Sequence, residues 1–291
     1  MQKPFLSIVI ANYNCGKYLD NAINSVIAQN MGDDIELIVC DAASTDNSVE
    51  VIKRHERDIA WWCSEKDNGQ SEAFNKGYAH SHGRFLTWLN ADDVLLPGAL
   101  AAVKKVLDRH PRADWATGNF VRFTQHNGRI VEAAWGPHWV PFWAQGNGFP
   151  LAIFGPTTFW SRSAYDKIGP INEKFHYTMD SDYWRRLTMF GCKFVRVNRD
   201  CWGFRMHEES KTAEFGHHAR SKSRKAVMHA ETLLSEKTTG YRATTLGKAI
   251  RMMLRIIDGS ILRSTWRRLF LVGRDLNCVY NLEKGKLSYE R

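Results

Sequence analysis

Between Leu6 and Asp93 the chain runs four times from a short apolar stretch into a polar turn, and this pattern most restricts its fold. Leu6-Ser7-Ile8-Val9-Ile10-Ala11 gives way to Asn12-Tyr13-Asn14-Cys15-Gly16, and Ile35-Glu36-Leu37-Ile38-Val39-Cys40 to Asp41-Ala42-Ala43-Ser44-Thr45-Asp46. Ile59-Ala60-Trp61-Trp62-Cys63 leads to Asp67-Asn68-Gly69-Gln70, and Phe85-Leu86-Thr87-Trp88-Leu89 to Asn90-Ala91-Asp92-Asp93. Strands with near-continuous apolar content are buried on both faces, as in parallel sheets. Helical spacings lie between them: Leu19, Ala22, Ile23 and Val26, then Val49 and Ile52 behind a Ser44 or Thr45 cap, then a helix from Glu72. Alternating strands and helices predict an α/β fold around an open parallel sheet. Ligands of such sheets bind beyond the carboxyl ends of the strands, and here those ends carry Asp41, Asp67, Asp92 and Asp93.

Further along, the spacing predicts a helix from Pro97 to about Arg109 and strands over 115–123 and 157–160. It predicts helices over 163–168 and 182–190 and a strand over 194–197, followed by Trp202-Gly203-Phe204-Arg205-Met206-His207. A loop at 135–149 holds Trp135, Trp139, Phe142, Trp143 and Phe149, which can stack on sugar rings or simply pack. No strand is followed by G-x-G-x-x-G or G-x-x-x-x-G-K-[ST], so dinucleotide and P-loop fingerprints are absent. The six cysteines stand singly, which argues against structural zinc and for reduced thiols in a cytoplasmic protein. The apolar run near the start is too short for a signal peptide, and no uncharged run reaches the ~18 residues of a spanning helix.

The formal charge of +9 is unevenly placed. Residues 1–217 carry 24 Lys/Arg and 25 Asp/Glu, whereas residues 218–275 carry 13 and 4. A nearly neutral body therefore precedes a basic segment. Within 246–272, Ile250, Met253, Leu254, Ile257 and Ile261 recur at helical spacing, with Arg251, Arg255, Arg263 and Arg267 elsewhere on the wheel and Trp266, Leu269 and Phe270 joining the apolar side. Such a helix can lie on an anionic membrane surface, or pack on the body with its basic face in water. The segment has no nucleic-acid reading module, and no nucleic-acid partner is expected.

Two adjacent carboxylates repel unless a cation or hydrogen-bond donor lies between them, and Mg²⁺ takes one or two carboxylates plus substrate phosphate oxygens. Alone, Asp92-Asp93 is more simply a capping turn before Pro97. Its company alters that. The ordered motifs L-S-I-V-I-A-N-Y-N, E-L-I-V-C-D-A-A-S-T-D-N-S, D-N-G-Q-S-E-A-F-N-K-G, F-L-T-W-L-N-A-D-D, Y-T-M-D-S-D-Y-W-R-R-L and F-R-M-H-E-E-S-K-T cover residues 4–213. Together they resemble the inverting glycosyltransferases of family 2, which have the GT-A fold.

The resemblance implies a mostly parallel, Rossmann-like nucleotide-binding sheet (1–110) merged with an acceptor and catalytic-base half (111–215), and basic C-terminal helices over 216–291. It implies a donor pocket lined by Ala11, Tyr13, Asp41, Asp67, Gln70 and Lys76, with Asp41 at the nucleoside and Asp92 at the ribose or sugar. Family members often carry a second acid where this chain has Ala42, and an aspartate where it has Asn90. Asp93 would ligate Mg²⁺ or Mn²⁺, with His207 as a further ligand or a structural histidine. Arg205 and Lys211 would meet the diphosphate. Asp180 matches the general base, its alternative being an acid that merely begins a helix, whereas Asp182 reads first as such a first-turn acid; Met179 stands where a Glu is common. The activity implied is transfer from a nucleotide-sugar, UDP-linked first, to a glycan or lipid-linked acceptor in polysaccharide or glycolipid assembly of the cell envelope. The enzyme would be cytoplasmic or peripheral on the cytoplasmic membrane face. A sugar-nucleotide nucleotidylyltransferase would need a triphosphate loop for which Asn12–Lys17 is a poor substitute, and an inactive sugar- or membrane-binding homologue conflicts with the intact acids.

Overall fold

The computed structural model describes residues 3–134, 157–208, 218–240 and 260–280, with isolated positions between 245 and 256. The aromatic-rich loop at 135–149, Lys211 and most of 246–259 lie outside the described residues.

The four apolar runs form β1 (Leu6–Asn12), β2 (Ile35–Asp41), β3 (Trp61–Ser64) and β4 (Phe85–Asn90), paired in parallel in the order β3-β2-β1-β4. Leu6, Ile8, Val9 and Ile10 are all fully buried, as a strand covered on both faces requires. The connecting helices are α1 (Gly16–Ile27), α2 (Ser48–Arg54) and α3 (Gln70–Ala79). Helix α3 approaches β1 so closely that a Cβ at Gly77 would stand 2.3 Å from a methyl of Val9. Only glycine fits there.

The sheet then changes character. After β5 (Val94–Leu95) and α4 (Ala99–Arg109) come β6 (Trp115–Thr124), β7 (Ile130–Ala134) and β8 (Thr158–Ser161). Helices α5 (Arg162–Ile168) and α6 (Met179–Met189) precede β9 (Phe194–Met206). Strand β8 runs antiparallel between β4 and β6, and β9 runs parallel to β6, so one nine-stranded mixed sheet continues past the parallel half. Trp184 of α6 stacks on Trp88 at 5.3 Å and on Trp115 at 6.3 Å, which seats α6 against the middle of the sheet.

Three differences from the sequence-based expectation concern the site. Helix α6 begins at Met179, not at 182, so Asp180 lies inside its first turn. The strand expected over 194–197 continues to Met206. The short strands β5 and β7 were not anticipated. The two residues of β5 are too few to leave a period, and in β7 the apolar neighbours Ile130-Val131 and Ala133-Ala134 blur the alternation.

The C-terminal region forms α7 (His218–Thr239), α8 (Ser260–Leu271) and α9 (Leu276–Tyr280). Leu276 of α9 is buried with Val94, Leu96, Val121, Phe123 and Ile130 in a second small core. Among the described residues no helix is long and apolar enough to cross a membrane.

Candidate active site

The carboxyl ends of β1, β2 and β4 meet beside the first turn of α3. Asp41, at the end of β2, is 1% exposed. Its carboxylate accepts from Asn12 Nδ2 at 2.6 Å, Ser44 Oγ at 2.5 Å, Ser44 N at 3.0 Å and Ser64 Oγ at 2.6 Å. Two carboxylate oxygens offer about four lone-pair positions, so these bonds fill them. Through these bonds Asp41, expected at the nucleoside, also ties the β1 and β2 end loops together. Those loops include Asn14 and Ala43 at positive φ of 49° and 53°, strain that the bonds around Ser44 hold in place. Ala11 is half-buried, and Tyr13 projects from the loop at 65% exposure.

An amide chain runs across the cleft floor. Gln70 Nε2 donates to Asn90 Oδ1 at 2.6 Å, and Asn90 Nδ2 donates to Asp93 Oδ2 at 2.8 Å. The other Asp93 oxygen accepts from the backbone N–H of Arg205 at 2.9 Å. Burial, with Asp92 beside it, pushes the Asp93 carboxyl well above the ordinary carboxylate range. Asp92 faces outward at 22% side-chain exposure and lies 3.0 Å from Nε2 of His207. The imidazole rests against the Tyr18 ring, with centroids 4.5 Å apart.

Of the two expected metal ligands, His207 pairs with Asp92, while Asp93 is turned inward onto Asn90 and the Arg205 N–H. The pair lies in the turn between β4 and β5, where the bonds from Asn90 Nδ2 and the Arg205 N–H draw the Asp93 carboxylate inward and leave Asp92 toward the cleft. Among the described residues no group of three or more His, Cys, Asp and Glu gathers as a cation cage. One carboxylate and one imidazole nevertheless fit a cation that completes its shell with substrate phosphate oxygens.

Arg205, expected at the diphosphate, is fully buried. Its Nε donates to the Asp92 carbonyl at 2.8 Å, another nitrogen meets Gln125 Oε1, and the guanidinium lies over the rings of Tyr18 and Phe123. It braces the acidic turn from behind. Asp67 has its carboxyl raised by burial, against the pull of the Gly69 N–H at 2.9 Å. Lys76 pairs with Glu65 at 2.9 Å.

Asp180 is held close to this floor. Ser71 Oγ bonds the Phe175 carbonyl at 3.2 Å and Met179 Sδ at 3.0 Å, so the residue before Asp180 rests on the first turn of α3, next to Gln70. Burial pushes the Asp180 carboxyl above its ordinary range, against a 2.6 Å bond from Ser181 N. The turn leading into α6 is clamped by Glu231 of α7. Its carboxylate accepts from the N–H groups of His176 at 2.8 Å, Tyr177 at 3.1 Å and Thr178 at 2.9 Å, and from Thr178 Oγ1 at 3.0 Å. Asp182 instead accepts from Ser235 at 2.6 Å and pairs with Arg186 at 3.0 Å. Sequence reasoning missed Tyr18, Gln125 and Glu231. Gln125 and Glu231 carried no local signal, since their partners lie 80 and 53 residues away. A cavity of about 540 Å³ bordered by Pro4, Gly83 and Arg162 opens at the opposite ends of the strands, and none of these acids lines it.

The likenesses to known proteins agree with this geometry. An uncharacterized glycosyltransferase of Nostoc is 40% identical over 104 residues, 35% of this chain and 32% of that protein. The chondroitin synthase of Pasteurella multocida is 27% identical over 210 residues, 71% of this chain and 21% of the synthase. The chain thus spans a third or less of these relatives. Among solved structures, residues 1–349 of TarS from S. aureus, in complex with UDP-GlcNAc, align with a TM-score of 0.59 at 15% identity, covering 81% of this chain and 73% of that one. The mannosyltransferase PcManGT of Pyrobaculum calidifontis, in complex with GDP-Man and Mn²⁺, aligns with a TM-score of 0.54 at 16% identity, covering 92% and 81%. These share the GT-A fold. The family model described as Glycosyl transferase family 2 matches residues 7–169, and the chain belongs to that family.

Proposed function

We propose that this chain is an inverting, metal-assisted glycosyltransferase that moves a sugar from a nucleoside-diphosphate sugar, a UDP-sugar first, to a hydroxyl of a glycan or lipid-linked acceptor. The acceptor would belong to polysaccharide or glycolipid assembly at the cytoplasmic face of a membrane. The observation that carries this reading is the continuous path Asp93–Asn90–Gln70, with Ser71 on Met179, which sets Asp180 beside the floor on which Asp92 and His207 pair.

Tyr13, the exposed aromatic of the β1 end loop, is the candidate to stack on the base. Asp67, Gln70 and Lys76 border the donor. Asp92 and His207 would hold Mg²⁺ or Mn²⁺, with Asp93, Asn90 and Arg205 fixing their orientation from beneath. When bound, the cation offsets charge that develops on the leaving nucleoside diphosphate. Asp180 accepts the proton of the acceptor hydroxyl as that oxygen bonds the anomeric carbon and the bond from that carbon to the diphosphate oxygen breaks. A single displacement inverts configuration. A buried carboxylate with a raised pKa is a better proton acceptor near neutral pH, and such a base contributes about 10²–10⁴-fold.

Calorimetry with UDP and Mn²⁺ tests the donor half. Wild type is expected to bind UDP more tightly with the metal, and Asp92→Asn to lose that enhancement. No enhancement in wild type would overturn the reading and favour an inactive homologue. Asp180→Asn should keep UDP binding and lose about 10²–10⁴-fold in transfer. Retained turnover would remove Asp180 from the base role.

A further inference from the structure

Helix α8 does two opposite things at once. One side of it is fastened to the body. Arg267 is 8% exposed and pairs with Asp200 of β9 through two nitrogens, one at 2.9 Å, and Tyr280 of α9 donates to the same carboxylate at 2.8 Å. Arg267 therefore belongs to the packed side, not to the solvated basic face expected for it. The other side is apolar and bare. Leu262, Trp266, Leu269 and Phe270 follow one another at i, i+4, i+7 and i+8, and are 76%, 60%, 76% and 43% exposed. The Trp266 and Phe270 rings lie 4.3 Å apart on that face. Arg263 and Arg268, both exposed, border the stripe on either side.

Single exposed apolar residues are ordinary, but a contiguous stripe along one helix marks a surface meant to be covered. Charge selects the cover. A second copy would bring the same arginine-bordered stripe, and the rest of the basic segment carries the same sign: residues 218–275 hold 13 Lys/Arg against 4 Asp/Glu. An apolar stripe bordered by arginines, with Trp and Phe in it, matches the boundary between acyl chains and anionic headgroups.

We infer that the outward face of α8 seats on an anionic lipid bilayer, with Leu262, Trp266, Leu269 and Phe270 entering the headgroup boundary and Arg263 and Arg268 meeting lipid phosphates. This deepens the proposed place of work, and its test is independent of the proposed chemistry. UDP binding reports the cleft, and vesicle binding reports α8.

The experiment is co-flotation of the full chain with vesicles of phosphatidylcholine, alone or with phosphatidylglycerol. Wild type is expected to float with the anionic vesicles and to be released by salt. The double variant Leu262→Ser/Leu269→Ser should lose at least about tenfold in partitioning. Arg263→Gln/Arg268→Gln should lose about fivefold per arginine at low salt. All four positions are exposed, so both variants should keep the wild-type melting temperature and UDP affinity. Wild type that fails to float with anionic vesicles at low salt, or that floats equally with both kinds, overturns the inference. So does a wild-type dimer that the leucine substitutions disperse, because the stripe would then be covered by a second copy.

Discussion

Asn90 shows how one atom type organises the cleft. Its amide accepts from Gln70 and donates to Asp93, so the same side chain serves an amide on one side and a carboxylate on the other. An aspartate has no donor for Asp93 and would place two carboxylates about where a 2.8 Å bond now lies. Asn90→Asp should therefore lower unfolding free energy by about 1–3 kcal/mol in chelator. Added Mn²⁺ should recover part of this, as measured by urea unfolding with and without the metal; equal loss in both conditions would refute a cation seat at this turn. Asp180 is subject to a related argument. Its carboxyl is raised by burial above 3.8, so base-dependent turnover falls off, as pH drops, above that value. The same raised group contributes stability that is full at low pH and lost as pH rises through its shifted value. Asp180→Asn should thus be no less stable than wild type at neutral pH while transfer is lost. The acids at strand ends are legible from sequence because topology alone puts them there. Which of two neighbours faces the cleft is not, because 22% exposure for the Asp92 side chain against 1% for Asp93 depends on Asn90, Arg205 and the approach of β9.

At the level of elements, α7 belongs to the site although it lies beyond the 7–169 match. Glu231 supplies an anion to three consecutive N–H groups at the entry to α6, where unsatisfied donors and the helix dipole both favour negative charge. Glu231→Gln should cost about 1–3 kcal/mol of stability and lower kcat with little change in the donor KM. A stability loss with kcat and its pH profile intact would make α7 a brace only. The parallel half was readable because its strands are apolar on both faces. Strand β9 was not: Asn198, Arg199 and Asp200 look like a turn, yet Asp200 stays in the strand because Arg267 and Tyr280 arrive from far along the chain to satisfy it. Partners that distant leave no periodic trace.

For the whole molecule, the charge of +9 belongs to residues 218–275, and the described helices of that segment are not a detached tail. Leu276 completes the small core with Val121, Phe123 and Ile130, and Gly273 and Arg274 bond the backbone of Ile130 at 2.7 and 2.8 Å. Deleting residues 260–291 should therefore lower the melting temperature by several degrees through uncovered apolar surface and an unpaired Asp200. The double leucine variant of α8 should not. A deletion whose melting temperature matched wild type would show that the helices are dispensable for the body. Sequence periodicity revealed an amphipathic helix here but not its orientation, since packing and membrane contact can both use an apolar stripe.

One strand joins these scales. Asp200, the anchor of α8, and Arg205, the brace under the acidic turn, stand on the same strand, β9, five residues or at most roughly 17 Å apart, with a register shift against β6 just after Asp200. A bilayer-bound α8 would consequently hold the cleft at one set height instead of letting it swing on a tether. Such an enzyme selects acceptors by reach: the hydroxyl must stand at that height above the lipid, and chains too short or too long to present it there are passed over.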